Sequence, residues 1–145
     1  GLSLGHVHAA DGTHVATVAE VSRQGDNLRC ERMWVAVDPG IAVRPDQVQA
    51  QIVSGVITGL TGALRNRITI RDGRIQESNF HQFEPLRMAQ APRIEVAIVA
   101  SGGEPGGMGE VGTPLVAPAL GNAVARLTGK RVRSLPFSAA GVAFV

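Results

Sequence analysis

Residues 28–64 read LRCERMWVAVDPGIAVRPDQVQAQIVSGVITGLTGAL, and the change of pattern inside this run decides the fold. Leu28–Val37 reads as a β-strand, and Asp38-Pro39-Gly40 ends it, because proline cannot continue a ladder and glycine supplies the turn. Pro45-Asp46 then opens a helix with an acid at the positive end of its dipole. Val48, Ile52, Val56, Leu60 and Leu64 recur at four-residue steps, with Val53, Ile57 and Ala63 beside them. That spacing predicts one helix with a wide apolar face. Gly55, Gly59 and Gly62 sit among these residues with Ser54 and Thr58. Each interior glycine costs about 1 kcal/mol of helix stability relative to alanine. Two readings stay open: ordinary helix-on-sheet packing, or the close approach of another backbone or a flat ligand.

On the N-terminal side, Val15–Val21 (VATVAEV) predicts a partner strand, joined to Leu28–Val37 as an antiparallel hairpin through a four-residue loop, Gln24–Asn27. On the other side, Asp72-Gly73 inside Arg67–Ser78 (RITIRDGRIQES) predicts a second hairpin with a two-residue turn. Arg93–Ala100 (RIEVAIVA) is nearly all apolar after Glu95, which predicts a central strand. A glycine-rich loop follows from Ser101 to Gly112. A second helix then starts at Thr113 or Pro118 and runs to Leu127, stopped by Gly129. Arg131–Phe137 predicts a short closing edge strand. The order predicts an α+β fold, a mainly antiparallel sheet with two helices packed on one face, as a single domain over residues 1–145.

The chain has 145 residues, 44% hydrophobic and 18% charged, enough apolar material to exclude a disordered protein. Net charge is only +2, and aromatic residues are 3% with no tyrosine. Little is left for base stacking, so no nucleic-acid partner is expected. Cys30 is the single cysteine, which excludes a disulfide framework, a zinc finger or a cysteine-held iron–sulfur cluster within the chain. Its expected role is that of a buried structural thiol. The most apolar helical stretch, Ile52–Leu64, is shorter than the roughly 20 residues that span a bilayer. The start, GLSLGHVHAADG, lacks the features of a signal peptide. No integral membrane protein is expected, and cytoplasm and periplasm both remain open.

Gly107-Met108-Gly109-Glu110-Val111-Gly112 matches GxGxxG after a strand and before a helix. A dinucleotide fold also requires an acid about 20 residues on, and Glu110 is the last acidic residue of the chain. What remains is the chemistry of close backbone approach and of an anion near a helix start. Glu110 has two readings, a general base set in a low-dielectric loop or a carboxylate that caps a helix dipole. Gln51, at the edge of the apolar face, either bonds to water and neighbouring loops or offers a donor and an acceptor to a heterocycle. His6, His8 and His14 with Asp11 are read as solvated groups, and no metal ligands are assigned.

Three runs carry a resemblance: VAVDPGIAVRPDQVQAQIVSGVITGLTGAL (35–64), ITIRDGRIQESNFHQFEPLRM (68–88) and GGMGEVGTPLVAPALGNAVARLTGKRVRSLPF (106–137). In this order they resemble the molybdopterin-binding large subunit of the xanthine dehydrogenase/aldehyde oxidase family. The branch is similar to the isoquinoline 1-oxidoreductase β-subunit and bacterial aldehyde dehydrogenases. The resemblance implies the C-terminal portion of a longer subunit of a molybdenum hydroxylase, which oxidises an aldehyde or an aromatic N-heterocycle with water-derived oxygen. It implies that Glu110 is the base at the molybdenum centre, that Gly109 lies beside it, and that Gln51 bonds the pterin. The metal would be held by the pterin dithiolene, with no protein ligand. The implied cofactor is molybdopterin in its cytosine dinucleotide form, and the implied partners are the rest of the subunit, an iron–sulfur subunit with [2Fe–2S] clusters, and a small-molecule substrate. Arg44 replaces a common asparagine, and Val53-Ser54 replaces a frequent Glu-Gly. The competing expectation is an isolated structural or interaction domain without a cofactor. The 145 residues alone are expected to be inactive and to self-associate through 138–145 and the small-residue helix at Gly55–Gly62.

Overall fold

A computed structural model describes residues 12–99 and 101–145 in full and residues 2–8 by their backbone. The elements are β1 (Leu2–His8), β2 (His14–Gln24), β3 (Asn27–Asp38), α1 (Pro45–Leu64), β4 (Ile70–Arg71), β5 (Arg74–Ile75), β6 (Arg93–Ile98) and α2 (Val116–Thr128). The main sheet runs β1-β2-β3-β6, with β4 and β5 forming a separate two-stranded ribbon. β1, β2 and β3 are antiparallel neighbours, and β6 lies parallel to β3. α2 packs over β1 and β2, while α1 packs against β6 and α2. The fold is α+β with both helices on one sheet face, as the element order predicts.

The β2–β3 hairpin is tighter than its sequence suggests. Gln24 pairs with Asn27, so the turn holds two residues rather than four. Gly25 takes φ +63° at the first central position, a conformation that glycine adopts without strain. Farther along, Glu20 pairs with Arg32 but Val21 with Cys30, leaving Glu31 as a bulge. The extra residue shifts the alternation by one. Leu28 and Cys30 therefore enter the same core as Met33, Val35 and Val37.

β6 is an edge strand among the described residues, not the central one its apolar run predicts. α1 connects it to β3, and a helical crossover returns a strand parallel to the first. Only Ile94, Val96 and Ile98 pack on the core, while Arg93 and Ala97 are exposed. Ile52, Val56 and Leu60 of α1 and Val116, Leu120 and Val124 of α2 are fully buried. Each such side chain contributes roughly 1.5–3 kcal/mol by leaving water.

The glycines of α1 answer the question left open by the sequence. A Cβ on Gly55 would lie 3.0 Å from the Gly112 Cα, and one on Gly59 would lie 2.8 Å from the Thr113 carbonyl oxygen. Another backbone does approach, and it belongs to the same chain. Most of the helix face expected to self-associate is thus covered from within. The C-terminal segment 138–145 is not covered in the same way: Val142 is buried, but Ser138, Ala139, Gly141, Ala143 and Val145 are exposed. Residues 131–137 form no strand: Pro136 lacks a donor, and Val132 and Phe137 turn into the core instead. Leu28 N–H donates to Ala143 O at 2.9 Å and Val145 N–H to Leu28 O at 3.0 Å, which lays the tail beside β3.

α2 starts at Val116, between the two starts that the sequence left open, and ends on Gly129 at φ +75°. Asp72 and Gly73, at φ 51° and 72°, make the expected turn, but its strands hold two residues each. Ile70, Ile75, Phe80 and Met88 in this excursion are exposed. Among the described residues, no helix is long and apolar enough to cross a membrane.

Candidate functional site

The carboxyl ends of β3 and β6, the start of β2 and the first turns of α1 meet at one end of the sheet. Crevices outside the carboxyl ends of parallel strands are where open α/β sheets bind ligands. At this end a shallow cavity of about 210 Å³ is lined by His14, Ala16, Val37, Asp38 and Val99, and the loop from Ser101 to Leu115 follows on from it in the chain. Asp38 anchors its base: Oδ1 accepts from Gly40 N–H at 2.9 Å and from the Ser101 hydroxyl at 2.9 Å. The Gly40 amide first, then the Ser101 hydroxyl, hold the Asp38 carboxyl below the usual range. Gly106 N–H donates to Pro39 O at 2.8 Å. Gly40 takes φ +76°, and a Cβ there would run into the Glu104 carbonyl and lie 2.7 Å from Gly103 O. The loop can approach because residue 40 has no side chain.

The same loop carries two of the three predicted site residues, and α1 brings the third. Gln51, exposed in the second turn, donates from Nε2 to Gly109 O at 3.4 Å. Glu110 follows with an exposed side chain. Anchors stand on both sides of it. Upstream, the Thr13 hydroxyl donates to Gly107 O at 2.7 Å, and Met108 packs on the core. Downstream, Val111 is buried, Thr113 N–H returns to Glu110 O at 3.0 Å, and the Thr113 hydroxyl donates to Gly55 O at 3.2 Å. A run of glycines is thereby tied down on both sides of the Glu110 carboxylate.

Two expectations about Glu110 change. The helix begins at Val116, six positions on, whereas the dipole acts within the first turn. Capping is therefore not its role. The low-dielectric setting is also not built by these residues, because the side chain faces solvent.

Sequence reasoning missed Thr13 and Asp38. Asp38 was visible only as part of a strand stop. Thr13 leaves no sequence signal at all, since its partner lies 94 residues away. Arg44 precedes α1 at φ −130° without a side-chain cap, and its guanidinium grips both Asp46 oxygens at 3.1 and 2.9 Å. The departure at this turn therefore keeps a local ion pair.

Cys30 is buried on β3, and desolvation, helped by Glu31, pushes its thiol up to about 12. It is a structural thiol. Among the described residues, no group of three or more His, Cys, Asp or Glu could hold a metal. The side chains of His6, His8 and Asp11 lie outside the described residues.

A family model described as "Molybdopterin cofactor-binding domain" matches residues 5–92, which include Gln51. The chain is 42% identical over 139 residues to the isoquinoline 1-oxidoreductase subunit beta of Brevundimonas diminuta, covering 94% of this chain and 18% of that protein. It is 34% identical over 122 residues to a membrane-bound aldehyde dehydrogenase [pyrroloquinoline-quinone] of Gluconacetobacter polyoxogenes, covering 84% and 16%. The crystal structure of the aldehyde oxidoreductase from Desulfovibrio desulfuricans shares the fold, with a TM-score of 0.72 at 23% identity over 86% of this chain and 14% of that one. The chain thus spans under a fifth of the length of these relatives.

Proposed function

Because the chain belongs to the family of molybdopterin cofactor-binding domains, we propose that it holds the pterin at Gln51 and Gly109 and supplies Glu110 as the base of a molybdenum hydroxylase. One observation carries the reading: Glu110 projects from a stretch of loop anchored on both sides, directly after the carbonyl that Gln51 reaches. The residues fit such a group. A primary amide offers a donor and an acceptor to the edge of a pterin. A Cβ at Gly109 would meet nothing within 4 Å, so that backbone has open space beside it.

When bound, the cofactor supplies the redox chemistry of its molybdenum. Gln51 orients the ring system by exchanging its contact with Gly109 for one to the pterin. Glu110 removes the proton of the attacking water-derived oxygen, and the anchored loop holds the carboxylate in place while it does so. The substrate class is an aldehyde or an aromatic N-heterocycle, supported by the names of the two relatives. The cofactor is the cytosine dinucleotide form. Electrons leave through a partner subunit with [2Fe–2S] clusters, consistent with a relative that is itself a subunit. The 145 residues alone form only part of this arrangement and have no turnover.

Glu110→Gln in the intact protein tests the reading. The change keeps shape and removes the proton acceptor, so kcat falls by at least roughly two decades with molybdenum content unchanged. Near-normal kcat would sink the base assignment. Metal and cofactor extraction from the same preparation tests the cofactor, because one relative's name carries pyrroloquinoline quinone. Recovery of that quinone without molybdenum or pterin would overturn the cofactor assignment.

A further inference from the structure

We infer that Thr13 is the positioning residue of Glu110, through the bond from its hydroxyl to the Gly107 carbonyl. The inference rests on the function proposed above and adds a residue from the opposite end of the chain. The loop between Ser101 and Gly112 contains Gly102, Gly103, Gly106, Gly107, Gly109 and Gly112. Glycine has more backbone freedom to lose than any other residue, so such a loop keeps one shape only where other groups impose it. Two side chains reach the backbone just upstream of Glu110. Gln51 does so from an exposed position at 3.4 Å, at the weak limit of a hydrogen bond. Thr13 does so at 2.7 Å from a fully buried position, where low dielectric strengthens the bond.

The two tethers also differ in what ligand binding does to them. Under the proposed function the Gln51 amide turns to the pterin and releases the Gly109 carbonyl. Thr13 is fully buried, so of the upstream side-chain tethers that remain in the loaded protein, its bond is the one nearest Glu110; the Asp38 bond to Ser101 lies six residues farther back. The Thr13 bond fixes Gly107, Met108 packs beneath, and Glu110 projects two residues later. Misplacement of a reacting group by about 1 Å can cost a hundredfold in rate, so a loosened Gly107 is felt at Glu110.

The test uses the intact, cofactor-loaded protein with Thr13→Val, which keeps the shape and removes the donor, and Thr13→Ser, which keeps the donor. We expect Thr13→Val to lower kcat by about tenfold or more, with KM and molybdenum content near wild type. Amide exchange should quicken about tenfold within 107–111 while β2 and β3 keep their protection. Thr13→Ser should restore both within about threefold. A merely structural threonine would lower the melting temperature and leave kcat per folded molecule and local exchange unchanged. That outcome would overturn the inference. If Thr13→Val does not fold, Thr13→Ala removes the same donor and is read by the same measurements. Glu110→Gln run in parallel separates the two failures. An inactive Glu110→Gln beside a fully active, normally exchanging Thr13→Val rejects positioning alone. A fully active Glu110→Gln rejects the base, and the inference with it.

Discussion

Gly59→Ala and Gly62→Ala, made separately, give opposite results in one helix. Both replace an interior glycine of α1 and so gain about 0.5–1 kcal/mol of helix propensity. They differ in what the new methyl meets. At Gly62 there is nothing within 4 Å. At Gly59 the Cβ would lie 2.8 Å from Thr113 O and 2.8 Å from both Cβ and Cγ2 of Val116. Thr113 O is backbone, and Val116 is fully buried and β-branched, so neither can swing aside. Overpacking of this kind costs about 1–3 kcal/mol. The net for Gly59→Ala is a loss of about 1 kcal/mol, against a gain of somewhat under 1 kcal/mol for Gly62→Ala. For a chain of this size 1 kcal/mol moves the midpoint by about 3–4 °C, so the variants should melt about 7 °C apart. Calorimetry of the 145-residue chain reads the difference. If Gly59→Ala melts at or above Gly62→Ala, the close approach of residues 112–116 to α1 is wrong.

The acid limb of stability should depend on Asp38. Its folded carboxyl is held below the ordinary value of 3.8, so its contribution is present above that pH and is lost as pH falls through the lower, folded value. Asp38→Asn should flatten this limb, and a carboxyl carbon NMR titration of Asp38 with its midpoint at or above 3.8 would contradict the Gly40 and Ser101 bonds. Cys30, raised to about 12 by burial, should resist a disulfide reagent at pH 8 until the chain unfolds. Rapid labelling of the native protein would place that thiol outside the core.

The chain's architecture was legible wherever one local signal sufficed. The four-residue steps from Val48 to Leu64 gave α1, and Asp72-Gly73 gave its turn. Reading failed where a tertiary partner decides. β6 looks central because its letters are apolar, but a parallel edge strand under a helix also presents Ile94, Val96 and Ile98 inward. The bulge at Glu31 leaves no mark in composition, yet it sets which residues of β3 are buried. The resemblance singled out Gln51, Gly109 and Glu110, and the fold does bring these together. It says nothing of Thr13, whose role depends on a contact across 94 positions.

The crossover from β3 through α1 to β6 has a consequence for how such a domain can diversify. The candidate site lies at the end of the sheet where Val37 pairs with Ile98, whereas residues 65–92 leave α1 and rejoin the sheet at the opposite end, at the Arg32–Arg93 pair. Lengthening, shortening or rewriting that excursion changes what the far pole of the molecule meets. It leaves Gln51, Gly109 and Glu110 in register, because none of their tethers passes through it. The excursion can therefore vary in length and sequence without moving these three residues relative to one another.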